Sequence, residues 1–106
     1  MRVQIQTEGF TAEQELAAFA RGGDAGAMAS FVGYCRGDSS HGAVDRLELE
    51  HYPELTRAEI TRLADEVRRR HGTIDILVIH RVGAVPAGEA IVLVAALSAH
   101  RAAAFA

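Results

Sequence analysis

Two apolar segments towards the end of the chain constrain the fold most. Ile74–Val85 is apolar on both sides around Leu77–Ile79, and Ala90–Leu97 is the longest apolar run of the sequence. Between them, Val85-Pro86-Ala87-Gly88 has proline and glycine where a type I turn accepts them. The pattern predicts two strands that pair with each other in a β-sheet. The longest run is nevertheless too short to cross a bilayer.

Three further segments have the side-chain patterns of strands. Val3–Thr7 alternates apolar and polar residues, which is typical of a half-buried strand. Ala27–Tyr34 has a mixed pattern, which favours a strand covered on both faces for much of its length. Ala43–Tyr52 contains the alternation LELE, and we expect this segment to be the antiparallel partner of the strand before it.

Two helices are predicted between these strands. Thr11-Ala-Glu-Gln14 has the spacing of a capping box at a helix start, and Gly22-Gly23 is suited to ending that helix. Pro53 stops the preceding strand because it supplies no N–H, and Thr56-Arg-Ala-Glu59 is a second capping box. A run of basic residues followed by Gly72 ends the second helix, since cations complement the carbonyl end of a helix dipole.

The resulting element order is βαββαββ followed by the start of a last helix. It predicts a single α+β domain over residues 1–106 with a mostly antiparallel sheet. From the residues alone, a ferredoxin-like sandwich is the expected architecture.

Charge and motif content argue against several classes of function. The formal net charge of -3 disfavours general nucleic-acid binding, which needs an excess of basic groups. The sequence has no zinc, P-loop, dinucleotide-binding or serine-nucleophile signature, and its single cysteine cannot form an internal disulfide. The N-terminus has no basic region followed by an apolar stretch, so we expect a cytoplasmic protein without a membrane segment. No close spacing of His, Cys and Asp suggests a metal site, and we expect neither a metal nor a cofactor.

Two stretches are candidates for binding an anion. In Ala29–Gly42, an apolar strand delivers Arg36 to the edge of a loop rich in glycine and serine, although an ordinary strand end and turn would have the same composition. In Ser98-Ala-His-Arg101, Ser98 is a suitable N-cap for a last helix that begins at Ala99. A helix start that also carries an imidazole and a guanidinium suits a phosphate, but the same His-Arg pair could simply pack and be solvated.

Several motifs together resemble the large, catalytic subunit of molybdopterin synthase. They are FVGYCRGDSSHG, LELEHYPELT, VIHRVGAVPAGEAIVLVAALSAHR and the terminal AAAF, in order and with little gapping from about Gly26 to Phe105. The resemblance implies that family's α/β-hammerhead fold and its homodimer, in place of the ferredoxin-like sandwich.

The resemblance also implies sulfur transfer in molybdenum-cofactor biosynthesis. In that family, a small ubiquitin-like sulfur carrier inserts its C-terminal Gly-Gly thiocarboxylate into the large subunit, giving a heterotetramer. The sulfur goes to a cyclic pyranopterin monophosphate, and two transfers with opening of the cyclic phosphate give the dithiolene of molybdopterin.

The resemblance assigns substrate binding to two groups of residues. The first group is Tyr34, Cys35 and Arg36, in which family members usually have a different, often basic and aliphatic, pair in place of Tyr34-Cys35. The second group is His100 and Arg101, which matches fully. Our hypothesis is that Arg36 and Arg101 hold the pterin phosphate, while His100 orients the substrate or relays a proton.

One departure from the family concerns lysine. The family's catalytic lysines lie C-terminal to the Ala-His-Arg helix start, whereas all 11 basic residues here are arginine and the sequence stops at Ala106. We therefore expect this domain to lack the family's C-terminal segment, and an intact mass above 11.3 kDa would reveal such a tail. The alternatives are a truncated, noncatalytic anion-binding or carrier-docking module of the same fold, and an unrelated ferredoxin-like ligand-sensing domain.

Overall fold

The computed structural model describes residues 1–20, 25–36, 38–39, 42–43, 46–49 and 53–106. Eight strands and three helices follow one another in these ranges. In chain order they are β1 (Arg2–Gln6), α1 (Ala12–Phe19), β2 (Ala27–Tyr34), β3 (Asp38–Ser39), β4 (Gly42–Ala43), β5 (Arg46–Leu49), α2 (Pro53–His71), β6 (Asp75–Arg81), β7 (Gly83–Pro86), β8 (Ala90–Ser98) and α3 (Arg101–Phe105).

The central sheet has four strands in the order β1-β6-β8-β2. β6 and β8 are antiparallel, as the sequence predicts, with Ile79 opposite Leu93. The predicted single segment Ile74–Val85 is divided, however, and its second part, β7, does not pair with β8. β2 is antiparallel to β8, whereas β1 is parallel to β6. The expected α+β class is therefore confirmed. The ferredoxin-like alternative is wrong, because β1 is an edge strand here and lies inside the sheet in that architecture.

The expected pairing of Ala43–Tyr52 with the strand before it is wrong. β5 pairs with β7 instead, with Leu47 opposite Val85. β2 pairs with β8 along its whole length. The reason is the course of the chain after β6. Gly83 has φ +81°, a backbone conformation that favours glycine, and β7 leaves the main sheet there. β7 then pairs with β5 in a separate two-stranded sheet. The end of the predicted strand, His51 and Tyr52, lies outside the described residues.

Each face of the central sheet packs against a helix. The face towards α1 is formed by alternate residues of β6 and β8, as the two-residue period of a strand requires. Its buried cluster consists of Ala12, Leu77, Ile79, Leu93 and Ala95. The opposite face packs against α2 through Ala64, Ile76 and Val78. None of the described helices is long and apolar enough to span a membrane.

The helix ends agree only in part with the capping motifs. Thr11 is the N-cap of α1, but its side chain makes no capping hydrogen bond. α2 begins at Pro53, so Thr56 lies inside the helix and the second capping box is wrong. Proline suits a first helical position because the missing N–H would have no partner there. Gly72, at φ +67°, ends α2 as predicted. The glycines expected to end α1 lie outside the described residues.

Candidate functional site

The first predicted group follows the end of β2. Tyr34 is the last residue of this strand and lies opposite Ala90, after a shift in register between Gly33 and Tyr34. Its side chain is exposed, as is that of Arg36, whereas Cys35 is only 3% exposed. A buried thiol is shielded from reaction partners, so Cys35 acts as a small core residue, and Arg36 is the exposed charged side chain of this segment.

The second predicted group follows the end of β8. His100 is the N-cap residue of α3, with extended backbone, and Arg101 is the first residue of that helix. Both side chains are exposed. The expected cap, Ser98, remains in β8 because it pairs with Ala27, and α3 begins three residues later. The Ser98 Oγ nevertheless accepts a hydrogen bond from the His100 backbone N–H at 3.4 Å.

Within one chain, the two predicted groups lie far apart. β2 and β8 are antiparallel, so the end of β2 at Tyr34 lies beside the beginning of β8, and the end of β8 lies beside the beginning of β2. With eight residues in β2 and a rise of about 3.3 Å per residue, the two groups are separated by roughly 25 Å. The structure therefore places Tyr34 and Arg36 at one end of the β2–β8 ladder and His100 and Arg101 at the other.

A hollow of about 450 Å³ adjoins Tyr34. The start of α1 forms one wall, and the turn between β7 and β8 forms another. Its lining includes Glu13 and Glu89, and the Glu89 carboxylate pairs with Arg81. The described residues that line the hollow include no arginine, so the hollow does not suit a phosphate.

A larger groove of about 550 Å³ lies over the sheet between α2 and α3. Its lining is almost entirely apolar and includes Phe31 and Phe105, which are 64% and 80% exposed. Thr73 also lines the groove, and its buried Oγ1 has no hydrogen-bond partner among the described residues. An apolar groove cannot compensate the charge of a phosphate, so this groove does not suit an anion. Nor do the described residues include a cluster of three or more side chains able to hold a metal ion.

Comparison with known proteins identifies the family. Residues 5–106 match the family described as MoaE protein. The chain belongs to this family. It is 49% identical over 104 residues to the molybdopterin synthase catalytic subunit of Mesorhizobium japonicum, covering 97% of this chain and 64% of that protein. The predicted resemblance is therefore confirmed, and the chain spans about two thirds of the length of this relative.

Solved structures of similar proteins have the same fold. The MoaE protein of Burkholderia ambifaria superposes with a TM-score of 0.84 at 40% identity, covering 98% of this chain and 68% of that one. A protein–protein complex of subunits 1 and 2 of the molybdopterin-converting factor from Helicobacter pylori gives a TM-score of 0.80 at 19% identity, covering 97% and 69%. The fold implied by the resemblance is thus confirmed.

One feature of this MoaE chain is missed by sequence reasoning. Arg81, at the end of β6, is buried and forms an ion pair with Glu89, which lies just before β8. The sequence signal is weak: an arginine at the end of an apolar strand and a glutamate after a turn. Such residues are usually interpreted as solvated polar residues at strand ends, and only the folded structure shows that Arg81 and Glu89 meet.

Proposed function

We propose that this MoaE chain takes part in sulfur transfer to a cyclic pyranopterin monophosphate, with the sulfur supplied by a small carrier that ends in a Gly-Gly thiocarboxylate. The observation that carries the proposal is the family match over residues 5–106, which includes both cationic segments. The relative from Mesorhizobium japonicum is named as a catalytic subunit of molybdopterin synthase. Because this chain spans 64% of that relative, the activity and its partners are proposals for this chain.

The proposed roles of the site residues follow from their charge and exposure. Arg36 and Arg101 are exposed guanidinium groups, which bind phosphate oxygens through charge-assisted hydrogen bonds. When the cyclic phosphate opens, negative charge increases on the leaving oxygen, and a guanidinium at that oxygen lowers the barrier. His100 is next to Arg101 and can orient the substrate or pass a proton to that oxygen.

The distance between the two arginines shapes the proposal further. One phosphate cannot contact Arg36 and Arg101 of the same chain across roughly 25 Å. We therefore propose a homodimer in which Arg36 of one protomer and Arg101 of a second copy face the same substrate. In this arrangement, a symmetric dimer has two equivalent sites, each incomplete without the other protomer.

A small sulfur-carrier subunit is the second proposed partner. Support comes from the Helicobacter pylori structure, which contains two subunits of the molybdopterin-converting factor and has the same fold as this chain. Two carriers on a homodimer would form a heterotetramer. The proposed reaction takes place in the cytoplasm, and it needs neither nucleic acid nor a membrane.

A noncatalytic module of the same fold is the second candidate function. The names of the curated relatives, which are catalytic subunits, do not favour it. A noncatalytic module that binds the pterin phosphate or docks the carrier would use the same fold and the same arginines. This alternative retains substrate binding and lacks turnover.

A reconstituted assay distinguishes the two candidates. The protein is mixed with a thiocarboxylated carrier and the cyclic pterin, and both dithiolene formation and pterin binding are measured. We expect dithiolene to form, in which case the sulfur-transfer function is supported. Bound pterin without dithiolene would favour the noncatalytic module. If Arg36→Ala and Arg101→Ala retain both pterin binding and turnover, the proposed site is wrong.

A further inference from the structure

Arg81 is the one buried charged side chain among the residues whose burial the structure describes, and it is 8% exposed. It is the last residue of β6, where the strand lies beside Gln6 of β1. Removing a guanidinium from water is unfavourable unless its N–H groups find partners. The partners of Arg81 therefore indicate what the residue holds in place.

Two elements are joined by the Arg81 guanidinium. Its Nε donates a hydrogen bond to the backbone carbonyl of Thr7 at 3.1 Å, just after β1. Its Nη1 donates to the Glu89 Oε1 at 2.5 Å, in the turn before β8. Gly9 lies against this pair, since a Cβ at that position would be 3.3 Å from the Arg81 Nη1. The guanidinium thus fixes the turn that contains Glu89 relative to the edge strand β1.

The same turn holds the backbone just before Arg36. The Cys35 N–H donates to the Glu89 carbonyl at 2.9 Å, and the Gly88 N–H donates to the Cys35 carbonyl at 2.8 Å. These two bonds continue the β2–β8 ladder past the register shift at Gly33 and Tyr34. The direction in which the chain enters Arg36 is therefore set by the turn at 88–89, whose carboxylate is anchored to Arg81.

We infer that Arg81 is a positioning residue, which acts through Glu89 and the Cys35 backbone to aim Arg36 at the substrate phosphate. The inference rests on the proposed function, in which Arg36 binds that phosphate. A residue with a purely structural role would change the stability of the fold without a special relation to Arg36. A positioning residue loses its effect on binding once Arg36 is gone.

Affinity for cyclic pyranopterin monophosphate, measured by titration calorimetry, tests this difference. Arg81→Met is expected to weaken binding about tenfold, because Glu89 loses its anchor and Arg36 samples other directions. Arg36→Ala alone is expected to weaken binding at least as much. The double variant should bind no more weakly than Arg36→Ala, since residues that act through one another are not additive.

Further variants separate positioning from folding. Arg81→Lys keeps the charge but cannot bond both partners in the planar geometry of a guanidinium, so it should recover part of the affinity. If thermal unfolding shows that Arg81→Met does not fold, Glu89→Ala removes the same link at a half-exposed residue and is expected to give the same loss. Arg2→Met is the matched control. Arg2 lies on β1, the edge strand opposite β2, and the substitution breaks a surface ion pair with Glu15 of α1, so affinity should remain unchanged.

The outcomes separate the inference from the proposed function. An unchanged affinity after Arg36→Ala overturns the proposed phosphate site and the inference with it. Weaker binding by Arg36→Ala together with unchanged binding by Arg81→Met and Glu89→Ala overturns the inference alone. Additive losses in the double variant overturn it as well, because Arg81 would then act independently of Arg36.

Discussion

Arg36 and Arg101 lie at opposite ends of one β ladder. Arg36 follows the end of β2, where Tyr34 lies opposite Ala90, and Arg101 follows the end of β8, where Ser98 lies opposite Ala27. A guanidinium must come within about 3 Å of a phosphate oxygen to bind it. Two such contacts with one phosphate are therefore out of reach within a single chain, and a shared site requires a second copy.

Mixed dimers test this arrangement directly. Arg36→Ala and Arg101→Ala proteins, each pure, are expected to bind the cyclic pterin at least about tenfold more weakly. A dimer with one chain of each kind should contain one intact site and one that lacks both arginines. After free exchange of protomers, calorimetry should find high-affinity binding at about a quarter of all sites. A mixture that binds no better than its unmixed components would contradict a site built from two protomers.

Thr73 supports a prediction about stability. Its buried hydroxyl has no hydrogen-bond partner among the described residues, and valine has nearly the same shape. Thr73→Val should therefore raise the free energy of unfolding by about 1 kcal/mol, because it removes the penalty of burying an unpaired hydroxyl. Urea unfolding measures the change.

Ser98→Ala is the matched control for this substitution. The Ser98 hydroxyl is also buried, but it accepts a hydrogen bond from the His100 N–H, so its loss should lower stability. The same direction of change in both variants would show that the pairing of the hydroxyl does not decide the result.

The parts of the fold that the sequence predicts are those set by local patterns. The apolar runs of β6 and β8 identify their pairing, because both strands must bury the same face. The partner of β5 could not be found in this way. The alternation of apolar and polar residues in β5 is compatible with any partner strand that has one exposed face. That the partner is β7 depends on the bend of the chain at Gly83, and the presence of a glycine in the sequence does not predict that bend.

The candidate site was likewise predictable only residue by residue. Arg36 and the His100-Arg101 pair stand out by residue type and by their place at the ends of strands and helices. Their separation within a chain depends on the antiparallel pairing of β2 with β8, strands that are more than 50 residues apart in sequence. Such long-range pairing is decided by the packing of the whole sheet and leaves no local signal.

Asp75 makes stability depend on pH. Burial opposes ionisation, but hydrogen bonds from the Met1 ammonium and the Ile76 N–H, with the charge of Arg68, hold the pKa of Asp75 below its ordinary value. A lowered folded-state pKa stabilises the fold above the unfolded-state pKa of about 3.9, and this contribution is lost as the pH falls through the folded-state value.

Asp75→Asn should therefore be less stable than the parent at pH 7, and the difference should shrink below about pH 4. Urea midpoints at pH 7 and pH 3 measure it. Asp65→Asn, which breaks an exposed pair with Arg69, is the control and should change stability by less than about 0.5 kcal/mol. A difference between Asp75→Asn and the parent that stays constant with pH would contradict the assignment.

Gly26 links the stability of the sheet to the second cationic segment. Its N–H donates to the Ser98 carbonyl at 2.9 Å, and a Cβ at this position would lie 2.2 Å from the carbonyl oxygen of Ala99. The clash is with backbone, so a substitution must displace Ala99 and the start of α3 that follows it. Gly26→Ala is expected to lower the free energy of unfolding by about 2 kcal/mol. It should also weaken phosphate binding, because His100 and Arg101 move with Ala99.

Gly33→Ala provides the comparison for this prediction. A Cβ at Gly33 would meet the Val92 Cγ1 at 2.9 Å, which is a longer approach than at Gly26 and is made to a side chain instead of to the backbone. The loss of stability should therefore be smaller than for Gly26→Ala. Urea unfolding of both variants measures the difference. Equal losses of stability in both would show that the backbone contact between Gly26 and Ala99 does not set the cost of the substitution.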